Sequence, residues 1–292
     1  NALKHYAKPV ANAVGMLADK IIENKGKKMV LVSLARAGIP IGILVKRYIK
    51  FKYGINVPHY SISIIRGRGI DDNAMKYLLE KYRQQQILFV DGWIGKGAIL
   101  NELKKDISAY EGVSADIAVV ADPANVTELC GTHEDILIPS SCLNSTVSGL
   151  ISRTFLRDDI IGRDDFHGAV YYGELTDSDL SYDFIETIEK EFNMENTPDL
   201  EKRVESQGID EVINIGKNFG IDDINLIKPG IGETTRVLLR RIPWKVLIDE
   251  RYKGNPQLEH IVRLAEEKHT PVEYYPLTHY KCCGIIKKLA DA

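Results

Sequence analysis

Five short apolar runs constrain the fold of this sequence more than any other feature: MVLVSL (residues 29–34), PHYSISII (58–65), ILFVD (87–91), ADIAVVA (115–121) and DILIP (135–139). Their apolar character is largely continuous rather than alternating, so each is expected to be buried on both faces, as strands are in a parallel sheet covered by helices. Stretches of helical periodicity, such as IPIGILVKRYIKF and AILNELKKDI, lie between most of them. The sequence therefore predicts an α/β fold with helices on both faces of a parallel sheet. Ligands of such sheets bind where the carboxyl ends of the strands release their loops.

At 292 residues the chain exceeds the roughly 100 to 200 residues of a typical domain, so two are expected. From about 176 to 205 it turns acidic and polar, with a helix expected at 179–192 and a turn at NTPD. A second alternation follows: the strand-like INLIKPG, the helix-like GETTRVLLRR, the strand WKVLID, the helix NPQLEHIVRLAEEKH, the strand PVEYYP and a closing CCGIIKKLA helix. The expected division is 1–205 and 206–292. Net charge is −3, yet residues 224–292 carry 12 Lys and Arg against 8 Asp and Glu, so the two parts face different partners. A composition of 44% hydrophobic and 27% charged residues excludes a disordered chain. No apolar run approaches the ~18 residues of a membrane span, and no signal peptide opens the sequence. A cytoplasmic location without a membrane partner is expected, and, as Asn1 is not Met, a native N-terminus further upstream. The four cysteines show no CxxC spacing and read as reduced thiols.

The segment ILFVDGWIGKGAIL (87–100) runs from an apolar strand through Asp91 and a glycine-rich turn into a helix. Backbone N–H groups and the positive end of a helix dipole make such a turn fit for an anion. GWIGKG has neither the spacing nor the Ser or Thr of a P-loop, and lacks the GxGxxG of a dinucleotide fingerprint. A tight turn without ligand is the alternative. Two more loops leave strands at the same edge: SLARAGIPIG (33–42), with Arg36 among small residues, and RGRGIDDN (66–73), with Arg66 and Arg68.

VDGWIGKGAI resembles the PRPP (phosphoribosyl pyrophosphate) loop of type I phosphoribosyltransferases. The resemblance implies that Asp91 holds ribose hydroxyls and Mg²⁺ of the PRPP complex, while Gly92, Gly95, Lys96, Gly97 and Ala98 wrap the 5′-phosphate. Gly92 stands where the family has a second acid, and Lys96 would add phosphate charge. SLARAGIPIG resembles the family's pyrophosphate loop, which assigns Ser33, Ala35, Arg36, Ala37 and Gly38 to pyrophosphate. RGRGIDDN matches the position of its mobile catalytic loop, with Arg66 and Arg68 closing on the leaving group. The implied chemistry is displacement at ribose C1, with Arg66, Arg68 and Asp91 as catalytic residues. The motifs specify neither an acceptor base, an RNA target nor an oligomeric state.

PSSCLNSTVSGLISRTF (139–155), taken with these loops, DDFHGAVYY and the C-terminal segment, is similar to a family found with bacterial tellurite-resistance and stress-response genes. Its members join a phosphoribosyltransferase-like domain to a Pelota-type RNA-binding domain, and the N-terminal part also carries the label cysteine protease StiP. Cys142, Asn144, Ser145 and His167 are the expected lining of an acceptor pocket. The protease label implies instead Cys142 as nucleophile with His133 or His167 as base. A non-catalytic nucleotide-sensing regulator is the other alternative, suggested by Gly92.

INLIKPGIGETTRVLLRRIPWKVLIDE resembles the RNA-binding domain of Pelota, release factors and kink-turn-binding ribosomal proteins. That resemblance implies contact with structured RNA through Gly230, Gly232, Glu233, Thr234, Arg236 and Arg240, with Arg241 nearby. Gly232 stands where the family has a base-reading Asn. The expected second fold is a smaller α/β/α domain.

Overall fold

The structure, a computed structural model, describes residues 2–140, 144–198 and 205–288. A first sheet of six strands is built from β1 (Val30–Ala35), β2 (His59–Ile65), β3 (Gly69–Ile70), β4 (Ile87–Trp93), β5 (Ile117–Ala121) and β6 (Cys130–Thr132). Their order is β3-β2-β1-β4-β5-β6. All neighbours pair in parallel except β2 with β3.

The period-2 geometry of β1 divides its side chains between two cores. Val30, Val32 and Leu34 enter a core with Phe89, Val119, Met75 and Leu103. Leu31 enters the opposite one with Leu88, Val90 and Val120. The first of these faces is covered by α3 (Asp72–Lys81) and α4 (Ala98–Ile107). The other is covered by α1 (Ala2–Lys25), α2 (Gly38–Tyr53) and α5 (Ser181–Glu189). Helix α1, to which the sequence reading assigned no element, presents Val10, Val14, Leu17 and Ile21 to that core, a spacing of three and four residues.

The second sheet has the order β7-β10-β8-β9, from β7 (Ile227–Pro229), β8 (Pro243–Ile248), β9 (Val272–Tyr274) and β10 (Cys282–Ile286). One face carries α7 (Ile231–Arg240) and α8 (Glu259–Glu267), the other α6 (Gly208–Phe219). This is the expected smaller α/β/α arrangement. Of the cysteines, Cys130, Cys282 and Cys283 are buried, while Cys142 lies outside the described residues.

Two expected elements are corrected. CCGII is not a helix but an interior strand of the second sheet, paired antiparallel on both sides. Cys282 faces one core and Cys283 and Ile285 the other. Gly284 permits this, because a Cβ there would lie 3.2 Å from the Thr234 backbone of α7. DILIP pairs in no strand, and the last strand of the first sheet is β6 instead. Its alternation serves two domains: Ile136 and Ile138 enter the first core, whereas Leu137 enters that of the second sheet.

Asp135 opens this segment. Its buried carboxylate accepts hydrogen bonds from the Ile231 N–H at the start of α7 (3.0 Å) and from the Lys281 N–H (2.9 Å). Burial pushes its pKa up to about 6 despite these bonds. Asp135→Ala would orphan two buried N–H groups at about 1–3 kcal/mol each. Removal of the charge offsets part of that at neutral pH, leaving an expected net loss of about 1–3 kcal/mol. The folded pKa lies above the unfolded ~3.9. Folding therefore favours the protonated form, and the native chain gains on the variant as pH falls through 6 toward 4. Urea unfolding of both chains at pH 7 and pH 5 should show the gap widening at the lower pH.

Candidate functional site

The sheet brings the glycine-rich β4–α4 turn and the β1–α2 turn side by side at its carboxyl edge. Gly38, the first residue of α2, crosses over β4 so closely that a Cβ would stand 2.5 Å from the Val90 carbonyl oxygen and 3.4 Å from Asp91 Oδ1. Glycine is required there for close approach. Asp91 is partly buried, and its Oδ1 accepts the N–H of Gly92 at 2.7 Å. Burial raises its pKa to about 7, which this one hydrogen bond only partly counters. A carboxylate so placed titrates near neutral pH, a property common at functional sites.

Arg36 leaves β1 after a cis Ala35–Arg36 peptide. Its guanidinium donates to Ser145 Oγ (3.0 Å) and to the Ile151 carbonyl (3.2 Å), on the segment that covers the sheet edge. That segment is folded back on itself by bridges between Ile151 and Tyr171 and between Phe155 and Gly168. Beneath it lies a cavity of about 430 Å³ lined by Arg36, Ser145, Ser152, Arg153, Phe155, Val170 and Tyr172. Burial lowers the pKa of Arg36, and the positive charges of Arg153, and then of Arg236 and Arg240 on α7, lower it further. Cations gathered around hydroxyls and aromatic rings suit an anion attached to a planar group. Arg153, Phe155 and Tyr172 escaped the sequence reading, since only the fold-back of the covering segment brings them to Arg36.

Other expected residues lie elsewhere. Lys96 does not face the turn's open side: its ammonium donates to the carbonyls of Ile224 (2.7 Å) and Ile227 (3.0 Å), in the C-terminal half. Burial and the neighbouring Lys228 lower its pKa to about 8. Gly95 offers its carbonyl to the Tyr280 hydroxyl at 2.6 Å. Gly97 caps α4 with φ 83°, followed by the exposed Ala98. The buried Ser33 hydroxyl is 2.7 Å from His59 Nε2, whose pKa burial lowers to about 4. Ala37 is exposed at the start of α2.

RGRGIDDN forms a tight hairpin rather than an open loop, pairing Ile64 with Ile70 and Ile65 with Gly69. Arg66 and Arg68 are exposed at its tip. His167 Nδ1 lies 2.8 Å from Ser63 Oγ, and its N–H donates to Asp71, which also caps α3. Asn144 begins a short 3₁₀ turn beside the site.

The start of α7, where RNA contact was expected, turns inward. Gly230 has φ 89°, and a Cβ on it would meet the Trp93 ring at 2.7 Å and Asp135 Oδ1 at 3.1 Å. Gly232 and Thr234 are buried, Glu233 pairs with Arg236, and Arg240 is exposed. Among the described residues, no helix is long and apolar enough to cross a membrane.

Residues 1–189 match the family described as tellurite-like stress resistance cysteine protease StiP. Residues 206–288 match the PELOTA RNA binding domain. The protein named cysteine protease StiP from Acinetobacter baylyi is 32% identical over 309 residues, an alignment spanning 99% of this chain and 80% of that protein. Two solved structures are similar to part of the chain. A hypoxanthine-guanine phosphoribosyltransferase from Bacillus anthracis has 17% identity and a TM-score of 0.31, covering 42% of this chain and 71% of that one. An HGPRT-ase from Leishmania tarentolae in complex with GMP has 15% identity and a TM-score of 0.32, covering 46% and 75%. By the extent of the sequence matches, the chain belongs to the StiP family of tellurite-like stress resistance proteins and carries a Pelota RNA-binding domain at its C-terminal end.

Proposed function

We propose that the β1–β4 edge binds a ribosyl phosphate of the PRPP type and that the protein is a phosphoribosyltransferase-like enzyme. The observation that carries this reading is the entry of Arg36 into a cavity shared with Arg153, two residues before Gly38, which packs against Asp91. In this reading Asp91 accepts the ribose hydroxyls and Arg36 and Arg153 hold pyrophosphate. The amides at the start of α4 face the 5′-phosphate, while the rings of Phe155 and Tyr172 offer a surface to the acceptor. Arg66 and Arg68 approach the leaving group from the hairpin tip. A single carboxylate at the site fits Mg²⁺ that arrives on the ligand's phosphates rather than in a protein cage. There Mg²⁺ would neutralise charge growing on pyrophosphate as the bond to ribose C1 breaks. Lys96 takes no part.

Calorimetry with PRPP and Mg²⁺ tests this. Native chain should bind, and Asp91→Ala and Arg36→Ala should each lose tenfold or more in affinity, about 1.4 kcal/mol. Because the carboxylate is the binding form, affinity should fall as pH drops through about 7. Equal heats in the three proteins, or none in the native chain, overturn the reading.

The Pelota match and the Arg236–Arg240 face of α7 support structured RNA as a partner. Binding should weaken steeply with salt and drop on Arg240→Ala combined with Arg241→Ala. Salt-independent binding, unchanged in the double variant, would remove the RNA assignment.

The name of the Acinetobacter relative supports a second reading, a thiol protease with Cys142 as nucleophile. Proteolysis by the native chain that vanishes in Cys142→Ala, with PRPP binding intact, would favour it, and proteolysis that survives the substitution excludes Cys142.

A further inference from the structure

Away from the ribosyl-phosphate edge, three potential metal ligands converge at the carboxyl ends of β5 and β6. Asp122 follows β5, Cys130 opens β6 and His133 follows it. Parallel pairing of Val119 with Cys130 and of Ala121 with Thr132 brings the two segments together. Cys130 Sγ lies 3.3 Å from His133 Nε2. One ligand atom each from Asp122, Cys130 and His133 lies within 4.8 Å of the other two. Zn–S and Zn–N bonds of about 2.3 and 2.05 Å at a tetrahedral angle place sulfur and nitrogen about 3.5 Å apart, close to the separation seen.

The surroundings hold these groups in place. Asp122 Oδ2 accepts the N–H groups of Val126 (2.7 Å) and Thr127 (2.8 Å). His133 Nδ1 is 2.9 Å from the Asp122 carbonyl. The tautomer that satisfies this contact carries its proton on Nδ1 and turns the Nε2 lone pair to Cys130. Metal-ligating imidazoles are oriented in this way. The Cys130 and Asp122 side chains are fully buried, so the thiol is closed to a peptide substrate. His133 alone of the three reaches an interdomain cleft of about 340 Å³, which Glu134, Tyr252 and Lys281 also line.

We propose that Asp122, Cys130 and His133 bind one borderline-soft divalent cation of the Zn²⁺ class at the margin of the interdomain cleft. Thiolate, imidazole and carboxylate form a donor set that zinc accepts. The same segments grip the C-terminal domain: the Pro123 carbonyl accepts from His279 Nδ1 (3.1 Å) and the Ala124 carbonyl from the Gly208 N–H (2.9 Å). A bound ion therefore stiffens the seam between the domains.

The test uses full-length protein stripped with a chelator and titrated with Co²⁺ as a spectroscopic probe. One equivalent should produce a thiolate-to-cobalt charge-transfer band and the intense visible bands of tetrahedral cobalt, both abolished by Zn²⁺. Cys130→Ser should remove the charge-transfer band, and His133→Gln should weaken binding about tenfold or more. A cobalt spectrum of the native chain without the thiolate band, or a band that persists in Cys130→Ser, overturns the proposal. A failure of Cys130→Ser to fold leaves the native chain decisive. Competition against a chromophoric chelator should then give one Zn²⁺ with Kd below about 1 µM, or −8.2 kcal/mol, and weaker or non-stoichiometric binding overturns it.

Discussion

The carboxylate of Asp135 is a buried polar link at the junction of the two parts of the chain. It sits where the dipole of α7 is most positive and takes two N–H groups that are buried with it. The rise in its pKa shows that burial costs more than these bonds return, so its place depends on the fit around it. That fit is extensive. Leu137, two residues on, is buried in one cluster with Ile231 and Leu238 of α7 and Ile248 of β8, and Tyr6 of α1 reaches the Gln257 carbonyl. Gly230 lies beneath Trp93, with no room for a side chain.

This junction reshapes the site. The glycine-rich turn after β4 is held from outside, with Tyr280 on the Gly95 carbonyl and Lys96 drawn to the carbonyls of Ile224 and Ile227. Burial with these two carbonyls lowers the pKa of that lysine and ties the turn to the C-terminal half. Positive charge at the sheet edge comes instead from Arg36 and Arg153, and the field at Arg36 extends to Arg236 and Arg240 on α7. The two domains therefore contribute to one electropositive region, although their sheets are separate.

Much of the first sheet was legible because Val30–Ala35, Ile87–Trp93 and Ile117–Ala121 are apolar on both faces, and few other environments select such runs. Helices α2 and α4 follow the predicted stretches closely. DILIP misled because its apolar side chains divide between two cores as a buried strand's do, although it pairs in no strand. A sequence records the burial but not the partner. CCGII misled for the converse reason: a short apolar run before two lysines carries little periodicity, and Gly284 discloses its purpose only once α7 lies over it. The loops at Arg36 and Asp91 were legible from local glycine and charge. The residues that complete the cavity, Arg153, Phe155 and Tyr172, come from a segment more than a hundred residues after Arg36 and had no local signal. Cys130 and His133 did have one, a Cys-x-x-His spacing, though the contribution of Asp122 depends on the pairing of β5 with β6.

The inward turn of α7 bears on the RNA contact proposed above for the C-terminal domain. The amides at a helix start are its strongest anion-binding groups, and here the Ile231 amide is given to Asp135 while Gly230 lies under Trp93. Glu233 adds negative charge to that first turn and pairs with Arg236. A phosphate approaching the helix would have to displace a carboxylate of the same chain, whereas Arg240 and Arg241, at the other end of α7, are exposed. Contact through that end needs no separation of the domains, and it leaves the cavity beside Arg36 within the same positive field.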